Sequence, residues 1–271
     1  MHNISRRRFL EGSATAAGLG VPALCAQDWA RQAVDKSPRK REWVTVKHGA
    51  RAVESMVAYP QGQAKAPAMV VIHEIFGMSD WMESVTDEFA AAGFLAIAPD
   101  LLSGMAPGGG RTKDLPANEV GQVIRKLPPD QITADLNAVT DYVRKLPMCN
   151  GRVCVVGFSW GGAQTFRFAT NRKDLAASFV FYGNGPEAEA VPRIQAPVYG
   201  FYAGNDERIN ATIPATQEQM KAAGKRYETV IYEGSAHGFM RAGAQPDATE
   251  ANRKARAAAW ARLKELRASY K

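Results

Sequence analysis

The run Arg152-Val153-Cys154-Val155-Val156-Gly157-Phe158-Ser159-Trp160-Gly161-Gly162-Ala163 restricts the fold of this chain more than any other stretch. A short β-branched apolar segment ends in Gly-x-Ser-x-Gly and passes into Ala163-Gln164-Thr165-Phe166-Arg167-Phe168-Ala169, which reads as helix. Gly-x-Ser-x-Gly alone also occurs in ordinary turns. Between a strand and a helix it predicts a sharp turn that holds the serine hydroxyl clear of the backbone. Glycines two residues before and after the serine leave no side chain to clash where strand and helix close on each other. The first N–H groups of the helix, unpaired within it, then face whatever reacts at the serine.

Continuous apolar runs at Met69–Ile72 and Phe94–Ala98 predict strands covered on both faces. Segment 79–92 lies between them as a helix, with Ser79 or Asp80 as N-cap and Gly93 at the other end. Before them, 43–48 and 53–59 alternate at period two and form an antiparallel hairpin. Further helices are expected over 119–126 and 129–146, the latter with Ile132, Leu136, Val139 and Val143 as its buried stripe. After the serine, strands at 177–182, 198–203 and 227–232 alternate with a helix at 211–223, and a long helix closes the chain. Alternation of this kind requires parallel pairing through right-handed crossovers. The expected fold is α/β: a doubly wound, mostly parallel sheet with an N-terminal antiparallel hairpin and helices on both faces. No repeat or linker divides residues 43–271, which read as one domain.

The chain has 271 residues, 46% of them hydrophobic and 23% charged, enough apolar material for a sizeable core. Its net charge of +7 does not point to nucleic acid. Three arginines against one glutamate in residues 1–26 account for +2 of it, and many other cations sit among alanines in the last helix with no interleaved aromatic residues. These read as a solvated basic face. Ser5-Arg6-Arg7-Arg8-Phe9-Leu10, an Ala/Gly-rich run from Gly12 to Ala23, and a boundary near Cys25-Ala26 resemble a twin-arginine export signal. The implied partner is the twin-arginine machinery and the implied location the periplasm. The alternative is an amphipathic N-terminal helix of the mature chain. Gly12–Ala23 is too short to span a bilayer, so no stable membrane anchor is expected. Residues 27–42, with Pro38 and a basic run, read as a linker or surface arm. Cys149 and Cys154 are expected as free thiols, because an extended run holds them too far apart for a bridge. The glycine run 108–110 lacks the strand and helix of a dinucleotide site and reads as a mobile loop.

A serine hydroxyl needs a base to take its proton, and the base needs a third group to hold it. His237 alone among the histidines follows both Ser159 and an acid, in the order that goes with a Gly-x-Ser-x-Gly turn. It lies beyond the last expected strand. Asp206, beyond strand 198–203, is the acid, with Glu207 as its rival. His73-Glu74 does not continue as a zinc-binding helix, since Gly77 stands where a second histidine would be required. That stretch follows a buried strand, where the second oxyanion N–H arises, so Ile75 and Trp160 are the expected oxyanion pair.

Taken together, His73-Glu74-Ile75-Phe76-Gly77, Pro99-Asp100-Leu101, Gly157-Phe158-Ser159-Trp160-Gly161-Gly162, Gly204-x-Asp206 and His237-Gly238-Phe239-x-Arg241 resemble the dienelactone hydrolase family over roughly residues 43–270. The resemblance implies a compact, lidless α/β-hydrolase that acts on ester or lactone bonds without cofactor or metal. It also implies that Glu74 lies beside the nucleophile and that Arg241 can hold a substrate carboxylate. Two departures stand out. The usual family nucleophile is cysteine, where this chain has Ser159. The second carboxylate-binding arginine is missing after Pro99-Asp100-Leu101, with Arg111 as the candidate substitute.

The expected protein is a monomeric serine hydrolase of small ester or lactone substrates. Phe76, Trp81, Trp160 and Phe239 are either an apolar wall round the scissile bond or core packing. A hydrolase-like binder without turnover and an acyl-peptide or amide hydrolase are the other readings.

Overall fold

A computed structural model describes residues 28–62 and 64–270. The leader reading of residues 1–26 and Cys25 lies outside them. Among the described residues eight strands form one sheet in the order β1-β2-β4-β3-β5-β6-β7-β8. They are β1 (Arg41–His48), β2 (Arg51–Ala58), β3 (Ala66–Ile72), β4 (Leu95–Pro99), β5 (Cys149–Phe158), β6 (Ala177–Phe181), β7 (Val198–Asn205) and β8 (Tyr227–Ala236). The β1/β2 hairpin and the β2/β4 pair are antiparallel; every other neighbouring pair is parallel. All residues of β3, β4 and β6 are buried, as their unbroken apolar runs require.

Successive residues of β5 face opposite layers. Cys154, Val156 and Phe158 join a core with α2 (Asp80–Ala91) and α9 (Glu250–Arg267). Val153 and Val155 join a second core with α3 (Ala117–Arg125) and α4 (Pro129–Lys145). Helix α5 (Trp160–Asn171) leads from β5 and packs with α7 (Ile213–Ala222) over β6 and β7. Ser79 caps α2 by accepting from the Met82 N–H, and Gly93 follows with φ 90°.

Two expectations change. Within 27–42, read as a linker or surface arm, residues 28–36 form helix α1 (Asp28–Lys36), with Ala30 and Val34 buried and Arg31 paired with Asp80 and Glu83 of α2. The basic run after it is partly neutralised by the buried Asp87, which accepts from Arg39 and Arg41. The basic surface of α9 is not wholly solvated: Arg256 bonds Glu88, Arg262 bonds Glu228, and Arg267 caps the Gly93 carbonyl. The glycine run lies in a loop, as expected, and forms a 3-10 turn, Pro107–Gly109, closed by an Ala106–Gly110 bridge. Cys149 and Cys154 are free and buried, and burial pushes the Cys154 thiol up. No helix among the described residues is long and apolar enough to cross a membrane.

From β3 the chain moves to β4 on one side, whereas from β5 it moves to β6 on the other. The carboxyl ends of β3 and β5 therefore form the topological switch point, where open α/β sheets leave a crevice.

Candidate active site

Strand register brings the site together. Ile72 of β3 lies opposite Gly157 of β5, so His73–Ile75 emerges beside Phe158–Trp160. Phe158 lies opposite Phe181, which sets Tyr182 next to Ser159. At the far side Asn205 of β7 faces Ala236 of β8 across a bulge, so the next residues, Asp206 and His237, leave the sheet together. Strand β8 runs four residues beyond its expected end, and that extension delivers His237 to this level.

Ser159 has φ 55° and ψ −113°, a left-handed conformation that L-residues with side chains adopt at a cost of about 1–3 kcal/mol. Its neighbours make the turn feasible. A Cβ on Gly157 would lie 2.1 Å from the Gly161 carbonyl oxygen, and one on Gly161 would lie 2.4 Å from that of His73. Strand β3, strand β5 and helix α5 thus touch backbone to backbone at the serine.

Ser159 Oγ lies 2.8 Å from His237 Nε2, and His237 Nδ1 lies 2.5 Å from Asp206 Oδ2. Asp206 is buried and also accepts from the Ile209 N–H, while Glu207 is exposed; the hydrogen bond goes to Asp206. Tyr182 also has a positive φ, 40°, and sets the edge of its ring against His237 with 5.0 Å between centroids. Burial, then the nearby Glu74 charge, raises its phenol well above the ordinary value.

Ser159 opens into a cleft of about 360 Å³ that Ile75 and Trp160 border. The Trp160 ring also stacks on buried His73 at 5.4 Å. His73 Nδ1 is 2.8 Å from the Glu74 carbonyl oxygen, and burial lowers the His73 pKa. Glu74 is buried and accepts from Arg241 Nε at 2.9 Å. Burial raises the Glu74 pKa and Arg241 opposes the rise. The pair lies behind the His237–Gly238 turn: a Cβ on Gly238 would be 3.7 Å from an Arg241 nitrogen and 4.0 Å from Glu74 Oε1. The Arg241 guanidinium also covers the Phe76 ring at 5.3 Å. Arg241 donates through Nε to a carboxylate of its own chain and is not among the residues that line the Ser159 cleft.

The hydrogen-bonded serine, histidine and buried acid at a strained turn over the switch point are joined by one comparison that decides the affiliation: the dienelactone hydrolase family model matches residues 53–270. The chain is a member of the dienelactone hydrolase family. Among proteins similar to it, one from Methylorubrum extorquens, provisionally named carboxymethylenebutenolidase, is 30% identical over 194 residues, covering 67% of this chain and 66% of that protein. A similarly named Escherichia coli K12 protein is 27% identical over 201 residues, 69% of this chain and 73% of its own. The fold is also that of a provisionally assigned dienelactone hydrolase from Klebsiella pneumoniae. The TM-score is 0.73 at 22% identity, covering 86% of this chain and 99% of that one.

Within this dienelactone hydrolase family member, the core-packing alternative holds for Trp81 and Phe239. Trp81 packs edge-on to Phe158 at 5.0 Å and Phe239 packs against Tyr182 and Tyr232; both are fully buried core side chains. Arg111 does not replace the missing arginine, since its guanidinium lies 3.5 Å over the Trp43 ring, beside a different surface cleft. The cations that do border the Ser159 cleft, Arg125 of α3 and Arg208 of α6 (Glu207–Asn210), were not singled out in the sequence. Nor was Tyr182. Nothing local marks Arg125, whose position depends on how α3 crosses the switch point; Arg208 could have been found by its closeness to Asp206.

Proposed function

We propose that this protein hydrolyses carboxylic ester or lactone bonds through an acyl-enzyme on Ser159. The observation that carries the reading is the continuous hydrogen-bond chain from Ser159 Oγ through His237 to Asp206. His237 Nε2 takes the hydroxyl proton as Oγ attacks the carbonyl carbon, while Asp206 holds Nδ1–H and so fixes the tautomer. Negative charge gathers on the carbonyl oxygen, where the backbone N–H groups of Ile75 and Trp160 stabilise it, each such donor being worth roughly 3–4 kcal/mol. His237 then gives the proton to the departing alkoxide. Water, deprotonated by the same nitrogen, attacks the acyl carbon; Ser159 leaves and recovers a proton. Serine depends on this base more than a cysteine would, because a thiol is partly ionised near neutral pH.

The Glu74–Arg241 ion pair lies beside the His237–Gly238 turn, and a substrate carboxylate would reach Arg241 in competition with Glu74. The leader resemblance in Ser5–Leu10 supports export by the twin-arginine route to the periplasm.

Ser159→Ala is the direct test. Its kcat on a 4-nitrophenyl ester is expected to fall by roughly 10⁴-fold or more, because triad members act as a unit, and labelling by a fluorophosphonate probe is expected to disappear. A variant that keeps wild-type turnover would overturn the assignment.

A further inference from the structure

The Ser159 cleft does not end at the nucleophile. It shares Ala163 and Asn184 with a second cavity of about 440 Å³ that runs along α5. The helix contributes Ala163 and Gln164, then Arg167, then Thr170 and Asn171, residues that recur on one face turn after turn. From Ala163 to Asn171 that face extends about 12 Å away from the serine, at 1.5 Å per residue. The opposite wall is the segment after β6, from Asn184 through a 3-10 turn, Ala188–Arg193. This segment starts beside Tyr182, so one wall of the second cavity is anchored at the catalytic end.

The chemistry of this trench differs from that of the cleft. Two acids, Glu187 and Glu189, stand against two bases, Arg167 and Arg193, which leaves its lining without net charge. Arg167 is held by the Pro129 carbonyl and the Thr133 hydroxyl, and Arg193 uses one nitrogen on the Thr170 carbonyl. Among the described residues Glu187 and Glu189 form no ion pair, and the buried side-chain oxygen of Gln164 has no hydrogen-bond partner. Carboxylates accept, guanidinium groups donate, and amides do both. A neutral ligand with several adjacent hydroxyls satisfies such a set, because each hydroxyl both donates and accepts. An extended peptide would be bound through its main chain, and a helix face and a 3-10 turn have little free backbone to offer one.

We propose that the trench between α5 and residues 184–193 is a subsite for the alcohol part of the substrate, and that this part is a neutral, polyhydroxylated, sugar-like group. The inference rests on Ser159 being the nucleophile. The substrate is then an acylated polyol longer than a small lactone, with its ester at the Ser159 end and its hydroxyls over Gln164, Asn171 and Glu187.

Methyl 6-O-butyrylglucoside and ethyl butyrate present one acyl group with and without the polyol. The wild-type kcat/KM is expected to favour the glucoside ester by about tenfold or more, mainly through KM. Ala190→Trp, which fills the trench, is expected to abolish that preference. Glu187→Ala combined with Arg193→Ala is expected to reduce it several-fold. Ethyl butyrate turnover and thermal stability should change less than twofold and by no more than a few degrees in either variant. Equal kcat/KM for the two esters, a preference that survives Ala190→Trp, or a stronger preference for a serine butyryl ester in a short peptide would each overturn the subsite. Calorimetric binding of the glucoside ester to Ser159→Ala separates the two readings. Binding that Ala190→Trp removes supports the trench even if Ser159 proves not to be the nucleophile, and absence of binding refutes the trench while leaving ethyl butyrate hydrolysis intact.

Discussion

Replacing Gly157 by alanine tests whether backbone contact at the turn is what aims the nucleophile. The added methyl carbon would lie 2.1 Å from the Gly161 carbonyl oxygen, 2.4 Å from its carbon and 2.5 Å from Thr165 Oγ1. Two of the three atoms are main chain, so no rotamer change relieves the overlap. To reach the 3.0 Å that Cβ contacts respect, the start of α5 must retreat by about 0.9 Å. Ser159 is the residue immediately before that helix. A shift of this size directly away from His237 would stretch the 2.8 Å Oγ–Nε2 contact towards roughly 3.7 Å, beyond hydrogen-bond reach. Misplacement by about 1 Å costs on the order of 10²-fold in rate, and overpacking of this kind costs about 1–3 kcal/mol of stability. The assay is kcat on a 4-nitrophenyl ester beside a urea unfolding curve. Gly151→Ala is the control: Gly151 has φ 90° but open space around its missing Cβ, so it is expected to lose about 1 kcal/mol and keep its kcat. Equal kcat values for Gly157→Ala and the wild type would refute the reasoning.

Asp206→Asn should lower kcat by up to roughly 10⁴-fold with little loss of fold, since an amide favours the wrong imidazole tautomer; near-normal kcat would show that another acid, Glu207 first, does the work. Trp81→Ala should destabilise the protein by about 3–5 kcal/mol in a urea titration, as loss of a buried indole does. The KM ratios among ester substrates should stay unchanged, and a shifted ratio would return Trp81 to the cleft wall. Arg172, then Arg144, hold the Asp174 carboxyl well below its ordinary value. A depressed folded-state pKa stabilises above the unfolded value of 3.8, and that contribution is lost as pH falls through the folded-state pKa. Because the side chain is 52% exposed, Asp174→Asn should cost only about 0.5–1 kcal/mol at pH 7. The difference should shrink below about pH 4; a difference that persists undiminished under strongly acidic conditions would argue against the pairing.

The local pattern alone determined the parts whose physics is local. An apolar strand running into Gly-Phe-Ser-Trp-Gly can hardly do other than turn at the serine, and the structure has Ser159 at φ 55° there. Continuous apolar runs required a sheet covered on both faces, and the chain order of serine, acid and histidine named three residues that the fold brings within hydrogen-bonding reach. What lay beyond the sequence was set by register and by burial. Strand β8 continues to Ala236 because it pairs with Asn205 across a bulge, and no propensity in Glu233-Gly234-Ser235-Ala236 announces that pairing. Residues 28–36 look like polar linker until α2 supplies Asp80 and Glu83 for Arg31 and a surface for Ala30. Trp81 and Phe239 belong to the core, and Arg241 is held by Glu74, for one reason: each depends on which distant side chains surround it. Spacing along a chain fixes the direction in which a side chain leaves the backbone, whereas the company it finds there is decided only when strands and helices from remote segments have packed.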